Sequence, residues 1–583
     1  MENENDELPL EDMTEILLNL NFKNLNQEIV KKNVEKIADK LSDLDIEKDK
    51  HKYLCLSCMH RAFLGDSMGS CCEFSSPSKE NHLDIFQFEN GIFRPGEVTD
   101  DSEMAISASF AYIDIINNES WNVQDLIYYY YCLWRATGPK DIGNATSSAL
   151  RYWKGNSIID TKFNYKMVKA TNWDSLANGF LMRISTFITY YYYSHLENIY
   201  NVIQKYCEKD QEITDDIINL YYDIFIESSK NTEITHPNFE NGISSAVFTL
   251  LVYVSMVTKD ANKAYSLFKK FAVSQKFIDI HTQKGKLVLY IAKNLQKKYN
   301  DIITEIESDK LLPVYSMMGY YIHGFKLSIY YLKKIGEMGS QLEDDYYYKI
   351  MCDVCDFGGD TDTNCAIVGA MVGPLIGYKN FNEKYFNRFI RFVPEERSLY
   401  NSAFMYIYIN CLEEKFLKEE NNKKEKGEET EEEKGEETGE EKGEEKGEEK
   451  GEEKGEEKGK EIKNENDTKN KDKSNVEDKL NDDKKGEGSN PDPEKTTDEK
   501  KGENIEKMEV EENKNDTNPK NNDVKNSEKS KNLKKKENEK EEEKKPKKKG
   551  FASKVFGMFN FNKSFSYTAF KKIMEFFTKE IKI

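Results

Sequence analysis

The chain has 583 residues, of which 106 are acidic and 85 basic, giving a formal net charge of -21. This acid excess argues against nucleic acid as the main partner, because binding a phosphate backbone requires a basic face. The amino terminus lacks the basic start and apolar run of a signal peptide, and no stretch approaches the roughly 20 apolar residues that span a bilayer. The 10 cysteines lie in apolar periodic segments, a pattern expected for a soluble, cytoplasmic or otherwise intracellular protein.

Helical periodicity runs through the first 417 residues. In residues 1–50, apolar side chains recur at steps of three and four, which predicts an N-terminal helical extension; they are Ile29, Val30, Val34, Ile37, Leu41 and Leu44. Residues 51–417 continue the helical pattern with few alternating segments, so we expect one large, multi-helix, all-α domain. The clearest predicted helices cover residues 126–134, 184–206, 215–225, 244–257, 284–295, 346–355 and 366–376.

The composition changes abruptly after residue 417. Residues 418–548 are rich in Lys, Glu, Gly and Asn, and the sequence Lys-Gly-Glu-Glu repeats from about residue 426 to 458. A glycine in every helical turn costs about 1 kcal/mol relative to alanine, and few apolar side chains are present to offset chain entropy. This region is therefore predicted to be disordered and of low complexity.

Residues 549–583 form a basic tail with a predicted short amphipathic helix. Its apolar stripe consists of Phe570, Ile573, Met574, Phe577 and Ile581, with lysines beside it. Such a segment could lie on an anionic membrane surface, or it could dock onto the catalytic domain or a protein partner through residues 544–583. The sequence leaves both alternatives open.

Two Cys-x-x-Cys pairs, Cys55 with Cys58 and Cys352 with Cys355, have a spacing that could supply a tetrahedral zinc site. The same spacing on a helix places two small apolar side chains on one buried stripe. The sequence favours core packing, with zinc as the alternative.

Hard oxygen ligands occur at two places far apart in the chain. Thr99-Asp100-Asp101 stands before one predicted helix, and Gly359-Asp360-Thr361-Asp362-Thr363 stands before another. Carboxylates and hydroxyls favour magnesium or manganese over zinc. Crowding these carboxylates together without a cation would be costly, because like charges a few ångströms apart raise one another's pKa.

The same tripeptide also has a simpler interpretation. Thr-Asp-Asp is a good helix N-terminus, since a threonine cap and acidic residues both suit the first turn. Thr214-Asp215-Asp216 repeats the tripeptide before an apolar segment, and we interpret it only as a cap. The tripeptide alone therefore does not identify a metal site.

Five motifs, in order, resemble the ADP-ribosylglycohydrolases, a family that includes the activator of dinitrogenase reductase and the animal arginine- and serine-ADP-ribose hydrolases. They are Gly65-Asp66-Ser67-Met68-Gly69 with Glu73-Phe74, Thr99-Asp100-Asp101-Ser102-Glu103-Met104-Ala105, Asn178-Gly179 with Met182-Arg183, Thr235-His236-Pro237, and Gly359-Asp360-Thr361-Asp362-Thr363-Asn364. The resemblance covers roughly residues 50 to 415.

This resemblance implies an all-helical fold with a cleft that holds two Mg²⁺ ions, or Mn²⁺ in their place. The matching ligands are Thr99, Asp100, Asp101, Asp360, Asp362 and Thr363. Glu73 matches a mobile catalytic glutamate that would act as acid or base, the alternative being a cap or pairing role in its loop. Asn178, Gly179 and His236 match residues that contact ADP-ribose, and Gly143 lies in a loop whose amides could cradle phosphate.

The function implied is a magnesium-dependent hydrolase that removes ADP-ribose from arginine or serine side chains, or from related conjugates. Its partners would be an ADP-ribosylated protein or a small ADP-ribose conjugate. The alternative is a non-catalytic ADP-ribose-binding module tethered by its disordered tail.

Overall fold

The computed structural model describes residues 27–79, 92–309, 314–343, 345–378, 383–393, 397–418, 571–572, 575–576 and 579–581, which belong to one compact unit. Regular structure in these ranges is helical, and β pairing within them is limited to two isolated bridges, Ser75 with Gly359 and Ala177 with Tyr320. The predicted all-α class is confirmed.

The α-helices of the described residues follow one another along the chain. In order, they are α1 (Gln27–Ser42), α2 (Lys50–Gly69), α3 (Asp100–Asn117), α4 (Val123–Ala136), α5 (Asn144–Leu150), α6 (Tyr165–Asn172), α7 (Ile184–Ser194), α8 (Leu196–Glu208), α9 (Asp215–Thr232), α10 (Phe239–Thr258), α11 (Ala261–Phe271), α12 (Gln275–Thr282), α13 (Lys286–Glu307), α14 (Ile322–Met338), α15 (Tyr346–Asp356), α16 (Thr361–Ile376), α17 (Glu383–Ile390) and α18 (Phe404–Glu413). Short 3-10 turns cover Asn178–Phe180, Gly339–Gln341 and Ser398–Tyr400, and a π-helical turn covers Glu414–Lys418.

Two helix boundaries differ from the sequence prediction in ways that matter. The helix predicted over 184–206 is two helices, because the backbone of His195 leaves the helical region at φ -133° and its ring stacks on Tyr191, 4.0 Å between centroids. Helix α16 begins at Thr361 rather than near residue 366. Two of the predicted metal ligands, Asp362 and Thr363, therefore lie in its first turn.

The closest helix pair is α2 with α16, and glycines on both helices make the contact possible. Gly65 and Gly69 lie on α2, and Gly369 and Gly373 lie on α16. A Cβ atom on any of the four would stand 2.3–2.4 Å from a backbone oxygen of the opposite helix. The two backbones thus touch directly, which no larger side chain would permit. This contact places the end of α2 against the start of α16.

Helix α10 is the most apolar long helix of the described residues. Phe239–Thr258 is long and apolar enough to cross a membrane, contrary to the sequence expectation that no stretch would qualify, but 94% of its apolar window is buried inside the protein. That burial is typical of the central helix of a large core, which must be apolar on all sides.

The Cys-x-x-Cys pairs pack in the core. Cys55 and Cys58 lie on α2, Cys352 and Cys355 lie on α15, and all four are buried. Among the described residues, the metal-binding group of three or more side chains consists of acids and includes none of these cysteines. The zinc alternative is therefore unsupported, and the packing interpretation fits.

The segments that flank the helical domain are described in part. Helix α1 buries Val30, Val34, Ile37 and Leu41 of the predicted stripe. Residues 1–26 and the low-complexity region from 419 to 548 lie outside the described residues, so disorder there stays a prediction. In the terminal tail, Phe576 is fully buried although it is not part of the predicted stripe.

Candidate functional site

The first acidic cluster caps helix α3. Thr99 is the N-cap residue, and its Oγ1 accepts a hydrogen bond from the backbone N–H of Asp101 at 3.4 Å. Asp66, at the end of α2, accepts further hydrogen bonds from the backbone N–H groups of Thr99, at 3.1 Å, and Ser102, at 3.2 Å. Burial raises the pKa of Asp66 to about 6 against the effect of these bonds. Asp66 therefore orients the start of α3.

The second cluster forms the turn into α16. Gly358 and Gly359 have φ angles of 66° and 81°, a left-handed backbone that favours glycine. The Thr361 hydroxyl donates to the carbonyl oxygen of Gly69 at 2.7 Å, which ties this turn to the end of α2. The glycine turn and the α2 contact together fix where Asp360 and Asp362 stand.

A backbone bridge joins the loop that carries Glu73 to this turn. The N–H of Phe74 donates to the oxygen of Gly359 at 2.6 Å, and the N–H of Gly359 donates to the oxygen of Ser75 at 2.9 Å. Phe74 has a φ of 59°, which is uncommon for an aromatic residue. Glu73 is thus held beside the second cluster by its neighbours' backbone.

The structure brings the two clusters together. The hydroxyls of Thr99 and Thr363 each lie 3.3 Å from Oδ2 of Asp101, although Thr363 follows Asp101 by 262 residues. Carboxylate oxygens of Glu73, Asp360 and Asp362 all lie within 4.8 Å of one another. The acids of both sequence motifs and Glu73 therefore face one small space.

Four acids of the site, Asp100, Asp101, Asp362 and Glu73, have raised pKa values. Burial, followed by repulsion from neighbouring carboxylates, raises the pKa of Asp100, Asp101 and Asp362 well above the ordinary range. Burial, followed by the charge of Asp360, raises the pKa of Glu73 to about 8. Gathering these groups costs free energy that a bound cation would offset.

The donor set fits a hard divalent cation. Oδ1 of Asp101 is buried and makes no hydrogen bond to any described residue, so this oxygen is available as a ligand. Its neighbours are carboxylate and hydroxyl oxygens, which match Mg²⁺ or Mn²⁺. The residues present are thus suited to the cofactor that the sequence suggested.

Asn178 contacts this acidic cluster directly. Its side-chain Nδ2 donates to Oδ2 of Asp360 at 2.9 Å, and its backbone N–H donates to the oxygen of Gly319 at 2.8 Å. A Cβ on Gly319, which has a φ of 80°, would stand 3.4 Å from Oδ2 of Asp360. The turn containing Gly319, which the sequence did not single out, therefore forms one wall of the site.

His236 and Gly179 lie together a short distance along the same surface. A Cβ on Gly179 would stand 2.9 Å from the His236 ring, so only glycine allows this approach. His236 shares a hydrogen bond with Thr235 through Nδ1 at 2.8 Å, while its buried Nε2 makes none with the described residues. Burial, and then the charge of Arg183, lowers the pKa of His236 well below the ordinary value. A neutral imidazole nitrogen is thus available to a ligand.

The loop of Gly143 borders the acids through its neighbours. Gly143 is the N-cap of α5, and nothing lies within 4 Å of where its Cβ would be. Asp141 of this loop is among the charges that raise the pKa of Asp100 and Glu73. Lys140 of the loop pairs with the buried Glu97 at 2.7 Å, which ties the loop to the segment before Thr99.

The sequence did not indicate a buried ion pair that Glu103 forms just after the first acidic cluster. Glu103, on α3, accepts hydrogen bonds from Trp134 Nε1 at 2.7 Å and from Arg397 Nη2 at 2.5 Å. Both members of the Glu103–Arg397 pair have about 5% of their side chains exposed. Arg397 follows Glu103 by 294 residues, and no local pattern connects them. The pair ties the first turn of α3 to the segment that begins at Arg397.

Three comparisons with known proteins each found a similar protein or family. The family model described as ADP-ribosylglycohydrolase matches residues 49–391. A putative ADP-ribosyl glycohydrolase of Acanthamoeba polyphaga mimivirus is 26% identical over 332 residues, which is 54% of this chain and 84% of that protein. A solved structure titled ADP-ribosylglycohydrolase-related protein complex is 14% identical with a TM-score of 0.38, over 62% of this chain and 97% of the other.

The family match covers more than half of the chain, and it includes both acidic clusters, Glu73 and His236. The chain therefore belongs to the ADP-ribosylglycohydrolase family and is a glycosidic-bond hydrolase that acts on ADP-ribose conjugates.

Proposed function

We propose that this protein removes ADP-ribose from modified arginine or serine side chains, or from a small ADP-ribose conjugate, with two Mg²⁺ ions as cofactor and Mn²⁺ as a substitute. The observation that carries the proposal is the meeting of Thr363 with Asp101 at 3.3 Å, beside a buried carboxylate oxygen that has no hydrogen-bond partner among the described residues. A site of this composition suits cations, and cations suit the cleavage of a ribosyl bond.

The residues that would hold the cations are Thr99, Asp100, Asp101, Asp360, Asp362 and Thr363. When bound, Mg²⁺ supplies positive charge that orients the ribose hydroxyls and polarises a water molecule. The protein keeps its own ligands in place through Asp66, which caps α3, and through Asn178, which holds Asp360 at 2.9 Å.

The remaining part of ADP-ribose would extend toward His236. Its neutral Nε2, which lacks a protein partner among the described residues, can bond to the pyrophosphate or an adjacent hydroxyl. Gly179 lets the backbone pack against the ring and fix its position, since a side chain there would meet the ring at 2.9 Å. The amides before α5, next to Gly143, offer donors to phosphate oxygens.

Glu73 is the proposed acid or base for the leaving atom. Cleavage at the anomeric carbon has an oxocarbenium-like transition state, and the departing nitrogen or oxygen needs a proton. The bridge from Phe74 and Ser75 to Gly359 keeps Glu73 next to Asp360, where the ribose would be bound.

The first experiment measures free ADP-ribose released from arginine-, serine- and phosphate-linked substrates by the full chain with Mg²⁺. We expect chelator and Asp360→Asn each to abolish release, because both remove part of the cation site. Asp216→Asn, a change at an exposed helix end, is the matched control and should retain activity. Full turnover by Asp360→Asn would contradict the proposal, and ADP-ribose binding without turnover by the wild type would favour a binding module.

A second experiment separates the two roles that Glu73 could have. We expect Glu73→Gln to lose turnover while Mn²⁺ binding, measured by calorimetry, stays near the wild-type affinity. Loss of Mn²⁺ binding together with turnover would identify Glu73 as a cation ligand instead of an acid or base.

The proposed location is cytoplasmic or otherwise intracellular, as a soluble enzyme whose partners are ADP-ribosylated proteins. All 10 cysteines lie among the described residues as thiols without disulfide bonds, which supports a reducing compartment. Mass spectrometry of the protein from its native source should find these thiols reduced.

A further inference from the structure

Three segments outside the matched family region meet in one place. The match covers residues 49–391, whereas α1 precedes it and α18 and residues 571–581 follow it. Helix α1 is joined by hydrogen bonds to Phe576, Lys579 and Ile581, and Phe576 packs on α18. The segments that the family pattern does not account for thus form a common structure.

Asn33 of α1 is the centre of the contact. Its side chain is fully buried, and its Nδ2 donates to the backbone oxygens of Phe576, at 2.6 Å, and Lys579, at 2.7 Å. Its Oδ1 accepts from the backbone N–H of Ile581 at 2.9 Å. The side-chain amide of Asn33 therefore uses both of its N–H hydrogens and its oxygen in hydrogen bonds to the backbone of one segment.

Phe576 supplies the apolar part of the contact. Its side chain is fully buried, and its ring meets Phe404 of α18 edge to face, with 5.8 Å between centroids and 85° between planes. At the periphery, Lys36 donates to the backbone oxygen of Ile581 at 3.0 Å and pairs with the exposed Glu580 at 2.9 Å. A peptide-binding groove typically has an aromatic anchor, an amide that binds the peptide backbone and a charged edge. This contact has all three.

We propose that the groove between α1 and α18 is a peptide-binding site, and that residues 571–581 are its intramolecular, releasable ligand. The 152 residues from 419 to 570 separate this ligand from α18 in sequence, so chain continuity does not force the contact. The bound segment is held by side-chain and backbone contacts that a separate peptide could also make.

The tail of the same chain is the favoured occupant. Treated as a random coil, a connection of this length keeps its ends at an effective concentration on the order of 0.1–1 mM. A second copy at micromolar concentration would not compete. The contact also excludes simultaneous membrane insertion of Phe576, because the buried ring cannot be in a bilayer.

The test uses the full chain with a specific protease site inserted within residues 437–547. After cleavage of the folded protein at about 0.1 mM, the lower end of the effective concentration in the intact chain, we expect the C-terminal fragment to co-elute with the domain in size-exclusion chromatography. Phe576→Ala, which alters only the ligand, and Asn33→Asp, which replaces a donor to two carbonyls by a charge, should each raise the released fraction at least about tenfold. Lys31→Gln, a change at an exposed position of the same helix, is the matched control and should release no more than the parent.

Several outcomes would overturn the proposal. Release of the parent fragment on cleavage would do so, and so would equal retention of the parent and Phe576→Ala fragments. Co-sedimentation of the intact chain with anionic vesicles, lost in Phe576→Ala, would identify a membrane as the occupant. Co-purification of two differently tagged uncleaved copies, lost in Phe576→Ala, would identify a second copy as the occupant.

Discussion

Two helices of this protein begin with Thr-Asp-Asp, and the two copies of the tripeptide have different surroundings. In α3, Asp101 is buried and meets Thr363 from a distant part of the chain. In α9, Asp216 has 47% of its side chain exposed and pairs only loosely with Lys205, at 3.6 Å. A helix N-terminus becomes a candidate cation site when other elements enclose its acidic side chains. The Thr-Asp-Asp tripeptide alone does not distinguish such a site from an ordinary helix cap.

The largest difference expected between the two helices concerns their ion pairs. Arg397→Met should lower the free energy of unfolding by about 3–5 kcal/mol, because it leaves Glu103 buried without its positive partner. Lys205→Met should cost at most about 0.5 kcal/mol, since the pair with Asp216 is exposed. Denaturant unfolding of both variants measures this, and equal losses would contradict the buried role of Glu103.

Neutralising one acid in each helix should separate chemistry from capping. Asp101→Asn should slow ADP-ribose release at least about 100-fold, through loss of a cation ligand. The same change should raise the melting temperature in chelator, because it removes one buried charge from a crowded group. Asp216→Asn should leave the rate within about twofold of the wild type. A melting temperature that falls for Asp101→Asn in chelator would argue against repulsion in the site.

The pH dependence of stability near α9 should follow His281, which shares a hydrogen bond with Tyr221 of that helix at 3.1 Å. Burial lowers the pKa of His281 to about 4, so between pH 6.5 and 4 the unfolded chain binds a proton that the folded chain does not. Its contribution to stability is present above pH 6.5 and is lost as the pH falls toward 4.

Relative to His281→Gln, the wild type should therefore lose about 2 kcal/mol between pH 7 and pH 5. The comparison of unfolding free energies at these two pH values cancels the titration of the site acids, which both proteins share. Parallel losses in the two proteins would show that His281 is not the responsible group.

The smallest effect is expected at the caps. Thr214 occupies the N-cap of α9 without a side-chain hydrogen bond to the helix, so Thr214→Ala should cost less than about 0.5 kcal/mol. Ser274 caps α12 and accepts from the N–H of Phe277 at 3.2 Å, so Ser274→Ala should cost about 1 kcal/mol. A larger loss at Thr214 than at Ser274, in thermal or denaturant unfolding, would show that Thr214 has a further role.

Local patterns predicted much of the helical structure because apolar spacing along a helix is a local property. The stripe of α1 is buried as expected, from Val30 to Leu41. The break at His195 was not predictable, because no glycine or proline marks it and the ring's stacking on Tyr191 is a tertiary contact. Phe576 escaped notice for the same reason, since its burial depends on Phe404.

The candidate site was predicted from the order of motifs and could not have been assembled from spacing. Nothing local indicates that Thr363 meets Asp101, and the approach of Glu73 depends on a bridge through Gly359. The residues that hold the site acids in place are even harder to predict from the sequence. Glu103 appears in the sequence as one more acid of a first turn, and only its contacts with Arg397 and Trp134 distinguish it.

The glycine contact between α2 and α16 affects how relatives of this protein should be judged. Gly65, Gly69, Gly369 and Gly373 bring two backbones together, whereas the aspartates beside them offer charge. Under the proposed assignment of the cation ligands, a relative that kept these glycines but replaced Asp101 or Asp360 would retain the architecture and lose the activity. In a search for inactive homologues, the glycines should therefore be scored apart from the acids. A score for the whole motif would rate a relative as active because it keeps the helix contact, even if it lacks the acids.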